Sequence, residues 1–127
     1  SGEAFIMPGL IFSDSDNVAP DVVWVSRERL AQIEDPAGHL QGAPELVVEV
    51  LSPGKANEDR DRLAKLKLYS TQGVQEYWIV DRIAQRLEVY RRENAQLVRV
   101  ATLVVGDRIT SPLLPSFVCE IARWFAA

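Results

Sequence analysis

The sequence has few of the residues from which disulfides and soft-metal sites are built. It contains one cysteine, Cys119, and one histidine, His39, among 127 residues. A single cysteine cannot form an internal disulfide, and one Cys with one His cannot complete a zinc site of Cys and His ligands within one chain. Chains without disulfides are typical of reducing compartments, so we expect a cytoplasmic protein.

Long apolar runs are also absent. No stretch approaches the roughly 20 apolar residues of a membrane helix, and no signal-peptide pattern opens the chain. The sequence contains no Gly-rich phosphate loop, no nucleophile elbow and no Cys-His pair. Because 127 residues allow one substantial core but not two, we expect a single domain over residues 1–127.

The chain has no basic excess, since its formal net charge is -4. Proteins that hold nucleic acid mainly through phosphates usually carry a basic surplus or stripe, so bulk electrostatics argue against tight DNA binding. A bound metal ion can supply positive charge locally. A group of arginines lies on the predicted strands and turns after residue 80. They either contact phosphates or form a solvated face of the sheet, and the solvated face is the simpler interpretation. The arginines are Arg82, Arg86, Arg91, Arg92 and Arg99.

The segment from Pro44 to Tyr69 predicts the centre of the fold. Residues 45–51 are apolar on both faces, as in a central strand that is covered on both sides. Ser-Pro-Gly at 52–54 ends this strand, and a charged helix is predicted from about Asn57 to Thr71. Glu49 lies inside the strand, where a carboxylate is costly to bury unless it is paired or coordinates a metal.

Further strands are predicted on either side of this unit. Pro20 precedes a Val- and Trp-rich strand that begins at Asp21, and Ser26 then starts a short helix. Residues 76–81, 87–91 and 97–105 predict an antiparallel meander with one polar and one apolar face. A short strand at 108–110 follows, and Pro112 and Pro115 predict an irregular tail. We therefore expect an α/β (α+β) domain, a mixed β-sheet with a flanking helix.

Two acidic residues in these strands are candidate metal ligands. Asp21 begins one strand and Glu49 lies in the next, and carboxylate oxygens are the ligands that Mg²⁺ or Mn²⁺ prefers. A lysine of the following helix could orient a metal-bound water, but periodicity does not choose between Lys65 and Lys67. The alternative is structural: Asp21 as a turn residue, and Glu49 as a core carboxylate paired with the helix.

Five spaced segments resemble the Uma-two family of bacterial restriction-endonuclease-like proteins, a branch of the PD-(D/E)XK nuclease superfamily. The resemblance covers about residues 18 to 125, and the ordered set is more specific than any one member. The segments are Pro20-Asp21-Val22-Val23, Pro44 to Pro53 (PELVVEVLSP), Asp61…Lys65…Tyr69, Gly73 to Asp81 (GVQEYWIVD) and Leu87-Glu88-Val89-Tyr90.

The resemblance implies a fold and a set of site residues. Asp21 matches the metal-binding aspartate of the PD motif, and Glu49 matches the acidic residue of the (D/E)XK motif. Leu51 stands where that motif has its lysine, and this branch takes the lysine from the following helix, which selects Lys65. The hypothesis is that Asp21, Glu49 and the Val50 carbonyl hold Mg²⁺ or Mn²⁺, and that Lys65 positions the attacking water.

The implied function is a Mg²⁺-dependent DNA endonuclease, acting as a homodimer because cutting both strands needs two sites. Members usually carry an N-terminal helical segment ahead of the PD strand, whereas twenty residues precede Asp21 here. We expect that segment to be missing, the chain being either a fragment or a short protein. Two alternatives stay open: a catalytically inactive nuclease-like binding or dimerisation module, and a carboxylate hydrolase with a closed apolar pocket for small substrates.

Overall fold

The computed structural model describes residues 2–6, 10–11, 17–18, 22–51 and 58–125. In these ranges the chain forms ten strands, two α-helices and a terminal 3₁₀ helix. The strands are β1 (Gly2–Ile6), β2 (Leu10–Ile11), β3 (Asn17–Val18), β4 (Val22–Ser26), β5 (Leu46–Val50), β6 (Glu76–Asp81), β7 (Arg86–Glu93), β8 (Gln96–Val104), β9 (Arg108–Ser111) and β10 (Leu114–Glu120). The helices are α1 (Arg27–Ile33), α2 (Glu58–Gln72) and the 3₁₀ helix (Ile121–Trp124).

Six strands form one sheet in the order β1-β4-β5-β6-β7-β8. β5 and β6 are parallel, and the other neighbouring pairs are antiparallel. A parallel pair needs a crossover connection, and α2 lies in the connection between these two strands. The mixed α+β sheet with a flanking helix that the sequence predicts is therefore confirmed.

The sheet is covered on both faces. On one face, buried side chains of β4, β5 and β6 pack with α1 and with Leu66 and Tyr69 of α2. On the other face, the alternate side chains of β5, β6 and β7 pack with Ile109 of β9, Phe117 of β10 and Ile121 of the 3₁₀ helix. β5 and β6 are accordingly buried nearly throughout, as expected for doubly covered central strands.

The predicted division of the meander into a polar and an apolar face is wrong for β6 and β7, and only β8 shows alternation along most of its length. All residues of β6 from Glu76 to Val80 are buried, and Leu87, Glu88 and Val89 are buried in succession on β7. Alternation requires one face to meet water, whereas here α2 lies over one face and the β9–β10 pair over the other.

The termini also differ from expectation. Residues 114–120 form β10, where the prolines predicted an irregular tail. β10 pairs with β9, and its register shifts between Leu114 and Val118, so Pro115 falls where the ladder is interrupted and no donor is needed. Gly2–Ile6 pairs with β4 as an edge strand, although the sequence has weak periodicity there.

Candidate active site

Glu49 is a buried carboxylate in the middle of the sheet. It lies near the end of β5, opposite Ile79 of the parallel strand β6, and its exposed fraction is 7%. The neighbouring Val47 and Val48 are buried against opposite faces, so the strand is fixed on both sides. The predicted burial of Glu49 is confirmed, and a carboxylate at this position needs partners.

Among the described residues, two side chains of α2 contact Glu49. Lys65 Nζ lies 2.9 Å from Glu49 Oε2, and the Tyr69 hydroxyl donates to Glu49 Oε1 over 3.1 Å. Lys65 and Tyr69 are four residues apart and so project from the same face of the helix. Tyr69 is fully buried, whereas the Lys65 side chain is one-third exposed (33%). The helix thus places one rigid and one solvent-reaching donor on the same anion.

The structure distinguishes the two lysines that periodicity could not. Lys65 points to the sheet and contacts Glu49, whereas Lys67 is exposed on another side of the helix. Leu51, at the position where the superfamily motif has lysine, packs against the apolar core. The geometry therefore brings Glu49 and Lys65 together, as the hypothesis requires.

Other members of the predicted site are less completely placed. Asp21 lies outside the described residues. Val22, the next residue, pairs with Val48, which directly precedes Glu49. Val50 ends β5 beside Val80, and its side chain is exposed. Among the described residues, no group of three or more His, Cys, Asp or Glu side chains is arranged to hold a metal ion.

A second buried carboxylate, which the sequence reasoning missed, lies on the same face. Glu88 of β7 is 3% exposed and pairs with Ile79, the residue that also pairs with Glu49. Arg62 Nη2 lies 2.7 Å from Glu88 Oε1, and the Tyr90 hydroxyl donates to the same oxygen over 2.9 Å. Burial, followed by the contact with Glu88, raises the pKa of Tyr90 above its usual value of 10.0.

Aromatic rings connect the two carboxylate clusters. The Tyr69 and Tyr77 rings meet edge to face with centroids 5.0 Å apart, and Tyr77 and Tyr90 lie 6.0 Å apart. Tyr77 is buried between the tyrosines that donate to Glu49 and Glu88. The core under α2 therefore fixes both carboxylates through one continuous set of side chains.

The five arginines do not form one patch. Arg91 contacts the buried Glu76 and donates to the Thr110 carbonyl, whereas Arg92 donates to the carbonyls of Ser70 and Val74 around the end of α2. Successive residues of a strand point to opposite faces, so these two arginines serve opposite sides of the sheet. A single phosphate-contacting surface made of all five is excluded.

The comparisons with known proteins agree with this fold. Residues 1–122 match the family described as "Putative restriction endonuclease", Uma2. The chain belongs to this family. A solved structure from Anabaena variabilis ATCC 29413, described as a "putative nuclease belonging to DUF820", has a TM-score of 0.74 and 20% sequence identity. The match covers 98% of this chain and 68% of the other.

At that identity the solved structure establishes the fold of this Uma2 member and nothing finer. No curated protein matches the sequence. The descriptions of the family and of the similar structure both name nucleases. Within the described residues, no helix has the length and apolarity that a membrane crossing requires.

Proposed function

We propose that this Uma2 protein is a Mg²⁺- or Mn²⁺-dependent DNA endonuclease that hydrolyses phosphodiester bonds through Asp21, Glu49 and Lys65. The observation that carries the proposal is the contact between Lys65 Nζ and Glu49 Oε2, at 2.9 Å, in the central strand of a nuclease-family fold. The pair would place a cation beside a carboxylate that can hold a metal ion, and both are groups that stabilise charge in phosphoryl transfer.

The donor set fits a hard divalent cation. Asp21, Glu49 and the Val50 carbonyl would hold the ion, all through oxygen, which suits Mg²⁺ and Mn²⁺. Each oxygen of Glu49 accepts one hydrogen bond from α2, and a carboxylate oxygen has a second lone pair for a ligand bond. When bound, such an ion lowers the pKa of water and neutralises charge on a phosphate.

Lys65 and Tyr69 have different roles in this proposal. The Lys65 side chain is one-third exposed, so its ammonium would orient the attacking water and stabilise charge that develops on the phosphate. Tyr69 holds the Glu49 carboxylate in one orientation from inside the core. As the water oxygen bonds to phosphorus, the phosphorus–oxygen bond to the leaving strand breaks.

A plasmid-nicking assay tests the proposal. We expect wild-type protein to nick supercoiled DNA with Mg²⁺ and not with EDTA, and Lys65→Ala to reduce the rate about 100-fold or more. Lys67→Ala is the matched control, because it removes an exposed lysine from the same helix and should leave the rate unchanged. Lys65→Ala removes one partner of the buried Glu49 and so lowers the stability of the protein. All variants are therefore compared below their melting temperatures. Full Mg²⁺-dependent nicking by Lys65→Ala would refute the role of the lysine.

The second candidate function is a catalytically inactive binding or dimerisation module with a nuclease fold. It is favoured by the fact that Lys65 and Tyr69 already satisfy both oxygens of Glu49, as in a structural ion pair. Calorimetric titration with Mn²⁺ separates the two: binding that Asp21→Asn and Glu49→Gln abolish supports the endonuclease, and absence of such binding leaves the module. We further propose that the protein is a cytoplasmic homodimer. Light scattering would measure its mass in solution, which should be twice that of one chain.

A further inference from the structure

The two buried carboxylates of the α2 face are arranged alike. Glu49 and Glu88 flank Ile79 in one row of the sheet, on the first and third of three adjacent strands. With neighbouring strands about 4.8 Å apart, their backbones are about 10 Å apart. Each accepts a hydrogen bond from a tyrosine and each pairs with a cation of α2.

The two cations, Arg62 and Lys65, are neighbours on the helix surface. They are three residues apart, so their side chains leave the same face of α2 about 5–6 Å from each other. The Arg62 side chain is 25% exposed and that of Lys65 is 33% exposed, whereas the carboxylates beneath them are almost fully buried. The buried anions therefore hold two positive groups at the solvent boundary.

An open pocket lies at this boundary. Its volume is about 260 Å³, and it is lined by Arg62, Leu63, Leu66, Ile79 and Tyr90. Ile79 is the residue between the two carboxylates, so the pocket lies beside the proposed catalytic pair. Arg62 is the charged residue of this lining, so a group that enters the pocket meets its guanidinium.

We propose that Arg62 binds a DNA backbone phosphate adjacent to the one at Lys65, and that Glu88 and Tyr90 position its guanidinium. This inference rests on the proposed function, and it assigns Arg62 to substrate binding. A guanidinium presents a planar set of donors that matches phosphate oxygens, and Glu88 fixes that plane from below.

The salt dependence of DNA binding tests this role. Binding of a short fluorescein-labelled duplex is followed by anisotropy in EDTA, so that no cleavage occurs. Each phosphate contact contributes about 0.9 to the slope of log K against log salt. We expect the double variant Arg62→Leu/Glu88→Gln, which leaves no unpaired buried charge, to lower the slope by about 0.9. Arg108→Leu/Glu120→Gln is the matched control: it removes an exposed ion pair of the β9–β10 pair, on the opposite face of the sheet, so its slope should equal that of wild type.

Arg62→Lys gives a second measurement that does not depend on the double variant folding. It keeps a cation beside Glu88 but loses the planar donors, so we expect an unchanged slope with several-fold weaker binding. An unchanged slope in the double variant, or unchanged affinity in Arg62→Lys, would overturn the role of Arg62. DNA binding that depends on Arg62 without Mg²⁺-dependent nicking would reject the endonuclease and support this inference, whereas absence of DNA binding would reject both.

Discussion

The hydroxyl of Tyr69 is the interaction that makes Glu49 a fixed anion rather than a mobile one. Lys65 is flexible and partly solvated, so its ion pair alone would leave the carboxylate free to turn. Tyr69 is fully buried, packs edge to face against Tyr77, and donates to the other carboxylate oxygen. Orientation of Glu49 is therefore set from the core side.

We expect Tyr69→Phe to destabilise the protein by about 1–3 kcal/mol, because it leaves one oxygen of a buried carboxylate without its donor. Chemical denaturation measures the loss. Glu49→Gln and the double variant complete a double-mutant cycle, in which the loss from Tyr69→Phe should shrink when Glu49 is neutral. Because the glutamine of Glu49→Gln can still accept from the Tyr69 hydroxyl, equal losses with and without the Glu49 charge would show that the negative charge adds nothing to this hydrogen bond.

Sequence patterns located Glu49 but not its full set of partners. A charge within the apolar run from Leu46 to Val50 is visible without a structure, because both faces of such a strand must be buried. A tyrosine at a core position of a helix, such as Tyr69, gives the same sequence pattern whether or not its hydroxyl donates a hydrogen bond to a buried carboxylate. Glu88 could not be recognised either: the predicted meander has one polar face, and a glutamate on such a strand gives no sign that α2 covers it.

α2 is attached to the sheet at its C-terminal end by an arginine of another strand. Its last turn contains no basic residue, so no side chain of that turn can neutralise the exposed carbonyls. Arg92 of β7 supplies this charge, with Nη2 donating to the Ser70 carbonyl over 2.7 Å and Nε donating to the Val74 carbonyl over 3.0 Å. Gly73, with φ of +92°, takes the left-handed conformation that ends the helix.

We expect Arg92→Ala to destabilise the protein by about 1.5–3 kcal/mol, the range for hydrogen bonds that involve a charged group. Arg99→Ala is the matched control, since Arg99 is exposed on β8 and its removal should change stability by no more than about 0.5 kcal/mol. Urea denaturation of both variants makes the comparison. If the two losses are equal, the helix end does not depend on Arg92.

The secondary-structure elements were predictable to different degrees for physical reasons. β6 was predicted over residues 76–81 and is observed there, and α2 begins and ends within one residue of its prediction. Both have strong local signals: a continuous β-branched and aromatic run, and a charged helix closed by Gly73. β10 has none, because Pro115 is tolerated only through a register shift that depends on β9.

The two faces of the central sheet carry different kinds of buried carboxylate. Glu49 and Glu88 face α2, with cations that reach solvent. Glu76 faces the β9–β10 pair and is 1% exposed, with Trp78 Nε1 and Arg91 Nε donating to Oε1 and Ser111 Oγ donating to Oε2. In the proposed function the first face presents charge to a substrate, whereas the buried charge of the second face connects β6 and β7 to the end of β9.

Ser111→Ala separates these two roles. Ser111 is buried; it donates to Glu76 Oε2 over 2.7 Å and accepts from the Leu113 backbone over 3.1 Å, so its loss removes a partner from one buried oxygen and one half-buried N–H. We expect a destabilisation of about 1–3 kcal/mol in urea denaturation. The exposed neighbour Thr110 on the same strand gives the control, Thr110→Ala, with a change of no more than about 0.5 kcal/mol.

Because Glu76 lies on the face opposite Lys65, Mg²⁺-dependent nicking by Ser111→Ala should equal that of wild type below its melting temperature. A Ser111→Ala protein that is folded but nicks DNA slowly would show that the two faces are coupled and that Glu76 belongs to the function of the site.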